Sequence, residues 1–161
     1  EIVAYFSDHP ELYQGKALVL GPGSTNLAIK QALGLNGTLL GCDVLMPNGE
    51  TLENASRDQL LGLSAECPLH VVISFTRHQG FLLGRGNQQL SPEVLQSLDW
   101  KQDVTVLGSR SKLDTLAQRP LLVDTGDASL DAKLCGIVSV LAGYDDYLLY
   151  RVSNTLLPHG S

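Results

Sequence analysis

Charge is scarce in this chain. Of its 161 residues only 17% are Asp, Glu, Lys or Arg, and no long like-charge run occurs. The balance is acidic, with a formal net charge of -6. That excludes the broad basic face that nucleic acid or an anionic membrane surface would attract. Cysteine is scarce too. Cys42, Cys67 and Cys135 are an odd set with no Cys-x-x-Cys. They indicate neither a disulfide framework nor a zinc knuckle, and read as buried thiols of a reducing, cytoplasmic compartment. No apolar run approaches the roughly 20 residues that cross a bilayer. His9, His70, His78 and His159 share no metal-ligand spacing. The chain begins at Glu1, without a methionine or a signal-peptide pattern, so it reads as a piece of a longer protein or as trimmed numbering.

What is present is a globular composition, 43% hydrophobic, in which short apolar runs alternate with helical periods. Ala17 to Leu20 reads as a first strand. Thr25 to Leu33 follows as a helix with Thr25, Ala28, Ile29, Ala32 and Leu33 on one face, Ser24 as its cap and Gly34 as its stop. Strands are expected at Thr38 to Met46, Leu69 to Phe75, Val104 to Leu107 and Leu121 to Val123. Pro47-Asn48-Gly49 signals a turn. Helices are expected after Asn54 or Ser56, after Ser91-Pro92-Glu93, after Ser109 or Ser111, and after Asp127 with Gly136 just beyond its end. Ile137 to Leu141 and Tyr147 to Val152 flank a turn and read as a final hairpin, expected as an antiparallel edge. Glu1 to Gly15 reads as a helix or a docking arm, and the last residues as frayed. Repeated β-α units favour one α/β domain over residues 1–161, a mostly parallel, Rossmann-like sheet flanked by helices.

Four apolar runs end in glycine or small polar residues: at Gly21-Pro22-Gly23, Gly41-Cys42-Asp43, Gly108-Ser109 and Asp124-Thr125-Gly126-Asp127. Ligands bind beyond strand C-termini in open α/β sheets, so these are expected to share a single functional edge. Gly21 to Thr25 is the phosphate candidate, since glycines admit an anion to the amides of a helix start and the Ser24 and Thr25 hydroxyls can add contacts, against the alternative of a tight strand-helix turn that binds nothing. It lacks the lysine of a P-loop and the third glycine of the dinucleotide fingerprint. In the segment Gln79 to Gln89, Arg85 can pair with phosphate or carboxylate, and Asn87, Gln88 and Gln89 can read a base or ribose, against the alternative of an ordered loop whose amides satisfy backbone groups. Asp124 and Asp127 can hold magnesium or act as a base, against the alternative that Asp127 caps a helix. His78, beside Arg77, can touch an anion or simply lie at the surface. No catalytic residue is assignable, and Gly-x-Ser-x-Gly does not occur.

These stretches are together familiar. Leu20-Gly-Pro-Gly-Ser-Thr25, Thr38-Leu-Leu-Gly-Cys-Asp43, Gln79-Gly-Phe-Leu-Leu-Gly-Arg-Gly-Asn-Gln-Gln89 with Ser91-Pro92, Leu122-Val-Asp-Thr-Gly-Asp127, and Gly143-Tyr144 before Tyr150-Arg151-Val152 resemble the C-terminal half of the ATP-NAD kinase-like family, which includes acetoin-catabolism accessory proteins. The Gly-Arg-Gly-Asn-Gln-Gln-x-Ser-Pro match is the most specific. Two departures stand out: the Gly-Gly-Asp-Gly motif of the family's N-terminal domain is absent, and Arg77-His78 stands where glycines are expected. The resemblance implies a nucleotide-binding C-terminal domain that needs the N-terminal kinase domain of the same protein. It implies ATP and NAD as ligands, with magnesium at Asp124 or Asp127. It places Gly21, Gly23, Ser24, Thr25, Asp43, Gly84, Arg85, Gly86, Asn87, Gln88, Asp124 and Asp127 near the nucleotide. A homo-oligomer is left open. Gly-x-Gly-Ser-Thr at a strand-helix turn also resembles the phosphate loop of ribose-5-phosphate isomerases, which keeps a sugar-phosphate sensor or isomerase-like domain as the alternative.

Overall fold

Ala17–Leu20 forms β1 and is buried along its whole length, as an Ala-Leu-Val-Leu strand covered on both faces must be. The computed structural model describes residues 1–154. His159 and the expectation of a frayed end lie outside them. Alternation along β1 sends Leu18 and Leu20 to one face of the sheet and Ala17 and Val19 to the other. The first face is covered by α1 (Ile2–Asp8) and α2 (Ser24–Ala32). The second is covered by α3 (Arg57–Glu66), α4 (Pro92–Gln96), α5 (Arg110–Asp114) and α6 (Ala128–Leu134). The opening segment is thus a helix. Phe6 anchors it by full burial, worth about 2 kcal/mol, and Tyr144 donates to Asp8 Oδ2 at 2.7 Å.

The remaining strands are β2 (Asp43–Leu45), β3 (Thr51–Leu52), β4 (Leu69–Ile73), β5 (Phe81–Leu83), β6 (Val104–Leu107), β7 (Leu121–Val123), β8 (Gly136–Gly143) and β9 (Asp146–Ser153). They form one nine-stranded sheet in the order β3-β2-β1-β4-β6-β8-β9-β7-β5. β1, β4, β6 and β8 run parallel. β9 turns back antiparallel to β8, and β7 and β5 follow its direction. The hairpin therefore lies inside the sheet and is no edge, because β9 uses its free side to pair with β7. Apart from β2, which runs antiparallel to β1 and β3, the sheet is two parallel blocks of opposite direction, so strand C-termini point to both of its edges.

Most helix starts follow their capping chemistry. Ser56 and Gln59 form a reciprocal capping box on α3. Ser91, Ser109 and Asp127 each accept from the backbone three residues on. α2 departs from its expected face. Ala28 and Ala32 are exposed, while Asn26 and Lys30 are buried with Ile29. Its cap is Gly23, at φ 117°, and Ser24 is the first helical residue. Its end is a Schellman turn: Gly34 N–H donates to Gln31, and Leu35 N–H to Lys30.

Candidate functional site

The fate of Thr38 to Met46 explains the buried face of α2. Only Asp43–Leu45 is strand, pairing antiparallel to β1. The stretch before it is a loop wrapped around Lys30. The Lys30 ammonium donates to Thr38 O at 2.7 Å and Gly41 O at 3.1 Å, and lies 2.7 Å from Asp43 Oδ2. Asp43 also accepts from Thr38 N–H, the Thr38 hydroxyl and Asn54 N–H. Both charged side chains have 0% exposure. Burial alone would raise the Asp43 carboxyl, but Lys30 and these hydrogen bonds outweigh it and hold it below its ordinary value. Asp43 is therefore enclosed and fully engaged. It shapes the loop, whose Leu39 carbonyl accepts from Gly23 N–H at 2.9 Å. Leu39 and Leu40 stand exposed on that loop.

Gly21 to Thr25 sits at the C-terminal end of β1. Gly21 N–H donates to Val72 O at 3.0 Å, prolonging the ladder with β4. The first N–H groups of α2 have no acceptor within the helix. Ser24 is exposed and Thr25 half-buried, and neither hydroxyl has a hydrogen-bond partner among the described residues. Asn26 is fully buried beneath the loop. Its Nδ2 donates to Val72 O, and its Oδ1 has no partner among the described residues. After β1 the chain crosses to α2 on one face; after β6 it crosses to α5 on the other. A crevice at such a switch point is where open α/β sheets bind ligands.

Three side chains not singled out as site residues border the same edge. Ser74 follows β4, and its hydroxyl accepts from Lys112 Nζ at 2.7 Å. Lys112 lies 4.8 Å from the centre of the Phe75 ring. Burial first, and then the charge of Arg77, depress its ammonium below the usual lysine value. Gly108 is required here, since a Cβ would fall 2.4 Å from Phe75 Cε1.

The other candidates lie on the opposite edge, where β5 and β7 end; the expected single edge is corrected by the reversal at β9. Gly84 adopts φ 93° and presses on the Asp124 backbone. Asn87 is buried and holds this turn, accepting from Gly84 N–H at 3.1 Å and donating to Leu82 O at 2.9 Å. Arg85 stacks on Phe81, 4.3 Å from the ring centre, and pairs with Asp124 at 3.1 Å. Gly86 and Gln88 are exposed. Asp127 caps α6 and accepts from Gln96. Asp131, unmarked in the sequence, is buried and binds Thr125 N–H and its hydroxyl. With Asp124 paired and Asp127 capping, these carboxylates do not fit a magnesium cage. Among the described residues no group of three His, Cys, Asp or Glu could hold a metal. A cavity of about 980 Å³ touches His70, Trp100, Leu134 and Leu149 and lies at the N-terminal ends of β4 and β6, away from Gly21.

The three cysteines are unpaired, and among the described residues no helix is long and apolar enough to cross a membrane. No curated protein and no solved structure matches the chain. The family model of the ATP-NAD kinase C-terminal domain matches residues 14–152, which span β1 through nearly all of β9. The chain therefore belongs to the ATP-NAD kinase C-terminal domain family.

Proposed function

We propose that this chain is the nucleotide-binding C-terminal domain of an NAD kinase-like phosphotransferase, with the phosphates of ATP or NAD seated on Gly21, Gly23, Ser24 and Thr25. The observation that carries the reading is the glycine-rich loop at a switch point, with two hydroxyls that have no partner among the described residues, in a chain of this family. A cradle of amides holds phosphate without net positive charge, which suits an acidic domain. Asp43 acts from inside by fixing the loop. Arg85, Gly86 and Gln88 serve a separate contact, because a four-residue strand of about 13 Å stands between the two edges. Asn87 and Gly84 shape that second turn, with Asp124 bracing it through Arg85, while Asp127 caps α6.

In this reading the 161 residues are one domain of a longer cytoplasmic protein, and an N-terminal domain supplies the Gly-Gly-Asp-Gly loop and the catalytic groups. Magnesium would arrive with the nucleotide phosphates. The test is NAD phosphorylation by the longer protein, with a thermal-shift screen of the domain against NAD, NADP, ATP and pentose phosphates. Stabilisation by NAD or ATP supports the reading. Stabilisation by a pentose phosphate alone replaces it with the sugar-phosphate alternative.

A further inference from the structure

The chain contains two lysines that are taken out of water in different ways. Lys30 satisfies its three N–H donors with three oxygens, those of Thr38, Gly41 and Asp43. Lys112 is half-buried, yet has one oxygen partner among the described residues, Ser74 Oγ. An ammonium has three donors, so two of those on Lys112 lack an acceptor there. Arg77 is exposed and close enough to act on Lys112. It has no hydrogen bond or ion pair with the described residues. The chain has more acids than bases, yet among the described residues no carboxylate forms an ion pair with either of these two cations.

Their place in the fold adds direction. β4 lies between β1 and β6. Leu20 pairs with Val72 and Ile73 with Val106, so Ser74 leaves β4 one residue past the level of Gly21 and one short of Gly108, with neighbouring strands about 4.8 Å apart. The Ser74 hydroxyl reaches the Leu107 carbonyl at 3.3 Å, which anchors it at the end of β6. The Lys112–Ser74 contact joins α5 to the end of β4 across 38 residues of sequence. The spare donors thus lie at the end of β4, the strand next to the one that ends at Gly21.

We propose that Lys112, Arg77 and Ser74 form a seat for a phosphate group, completing the site whose other wall is Gly21 to Thr25. The proposal rests on the phosphate reading of that loop and names the side chains that supply its positive charge. A tetrahedral phosphate offers more acceptor oxygens than a planar carboxylate. It can take the two free donors of Lys112, the guanidinium fork of Arg77 and the amides at the start of α2 together.

The test is calorimetric titration of the 161-residue chain with inorganic pyrophosphate in phosphate-free buffer, with NAD and ATP as parallel ligands. Pyrophosphate is expected to bind. Lys112→Gln is expected to weaken it at least tenfold and Arg77→Gln severalfold, while Lys101→Gln leaves it unchanged. Arg77 is exposed and has no bond to the described residues, so Arg77→Gln is expected to fold normally and keeps the test decisive if Lys112→Gln does not. If Lys112→Gln and Arg77→Gln bind pyrophosphate like the parent, the seat is overturned. If NAD or ATP binds but pyrophosphate does not, the seat is overturned while the nucleotide reading stands. Lys112-dependent pyrophosphate binding without NAD or ATP binding keeps the seat and removes the nucleotide reading.

Discussion

Replacing Asp43 with asparagine strands a buried charge. Lys30 and Asp43 are both at 0% exposure and 2.7 Å apart. The substituted amide would keep an acceptor for Asn54 N–H, but its NH₂ group would face Lys30 or Thr38 N–H, both of which are donors themselves. Removing one partner of a buried pair typically costs about 3–5 kcal/mol, a large part of a total stability of about 5–15 kcal/mol. For a domain of this size that is a fall in Tm of roughly 10 °C or more. Thermal melts followed by circular dichroism measure it. The pH course adds a second reading. The Asp43 carboxyl is held below its ordinary value, so its contribution is present above the unfolded carboxylate value of about 3.9 and is lost as pH falls through the folded value. In Lys30→Met the burial is unopposed by the ammonium, and this acid-side loss is expected to shrink or reverse. A loss below about 1 kcal/mol in Asp43→Asn would be that of an exposed pair, and would refute a buried clamp on the 37–42 loop.

Three further outcomes are expected. Gly84→Ala places a Cβ 1.7 Å from the Asp124 carbonyl oxygen at φ 93°, so urea titration should show a loss of roughly 3 kcal/mol or more. Gly86→Ala, at φ 80° in open space, should lose only about 1 kcal/mol; equal losses would contradict the close approach. His70 is pushed down to about 4, by burial first and then by Lys16, against the opposing pull of Asp103 and the Gln102 backbone. The unfolded chain binds the extra proton, so stability is full above about pH 6.5 and falls towards pH 4 by up to about 3 kcal/mol. His70→Gln should flatten that window, and an unchanged slope would count against the assignment. Cys42 is buried and its thiol raised to about 11, mainly by burial, so Cys67 and Cys135 should react first with a thiol reagent in mass spectrometry, and early labelling of Cys42 would contradict its enclosure.

Local chemistry was legible in the sequence where one residue decides a turn. Ser91, Asp127 and Gly34 ended up capping or stopping the helices they flank, and the Gly143 to Asp146 turn joins β8 to β9. Strand direction was less legible. Apolar runs such as Leu121 to Val123 mark a buried strand but carry no mark of its partner, so nothing announced that β7 would pair with β9 and face the other edge. β5 was hidden because three residues, Phe81 to Leu83, sit in a glycine-rich stretch. Strand Thr38 to Met46 was overextended because its apolar residues Leu39 and Leu40 lie exposed on the loop held by Lys30. The site divided in the same way. Gly21 to Thr25 announced itself by composition. Nothing in the helical pattern around Lys30 marks it as buried, and Lys112 meets Ser74 only across 38 positions of sequence.

The most direct test of nucleotide recognition at the Gly21 loop is calorimetric titration of the chain, and of a Ser24→Ala/Thr25→Ala variant, with NAD, ATP and ribose 5-phosphate. Binding of NAD or ATP that weakens in the variant is the expected result; binding of ribose 5-phosphate alone, or nucleotide binding indifferent to both substitutions, would contradict it.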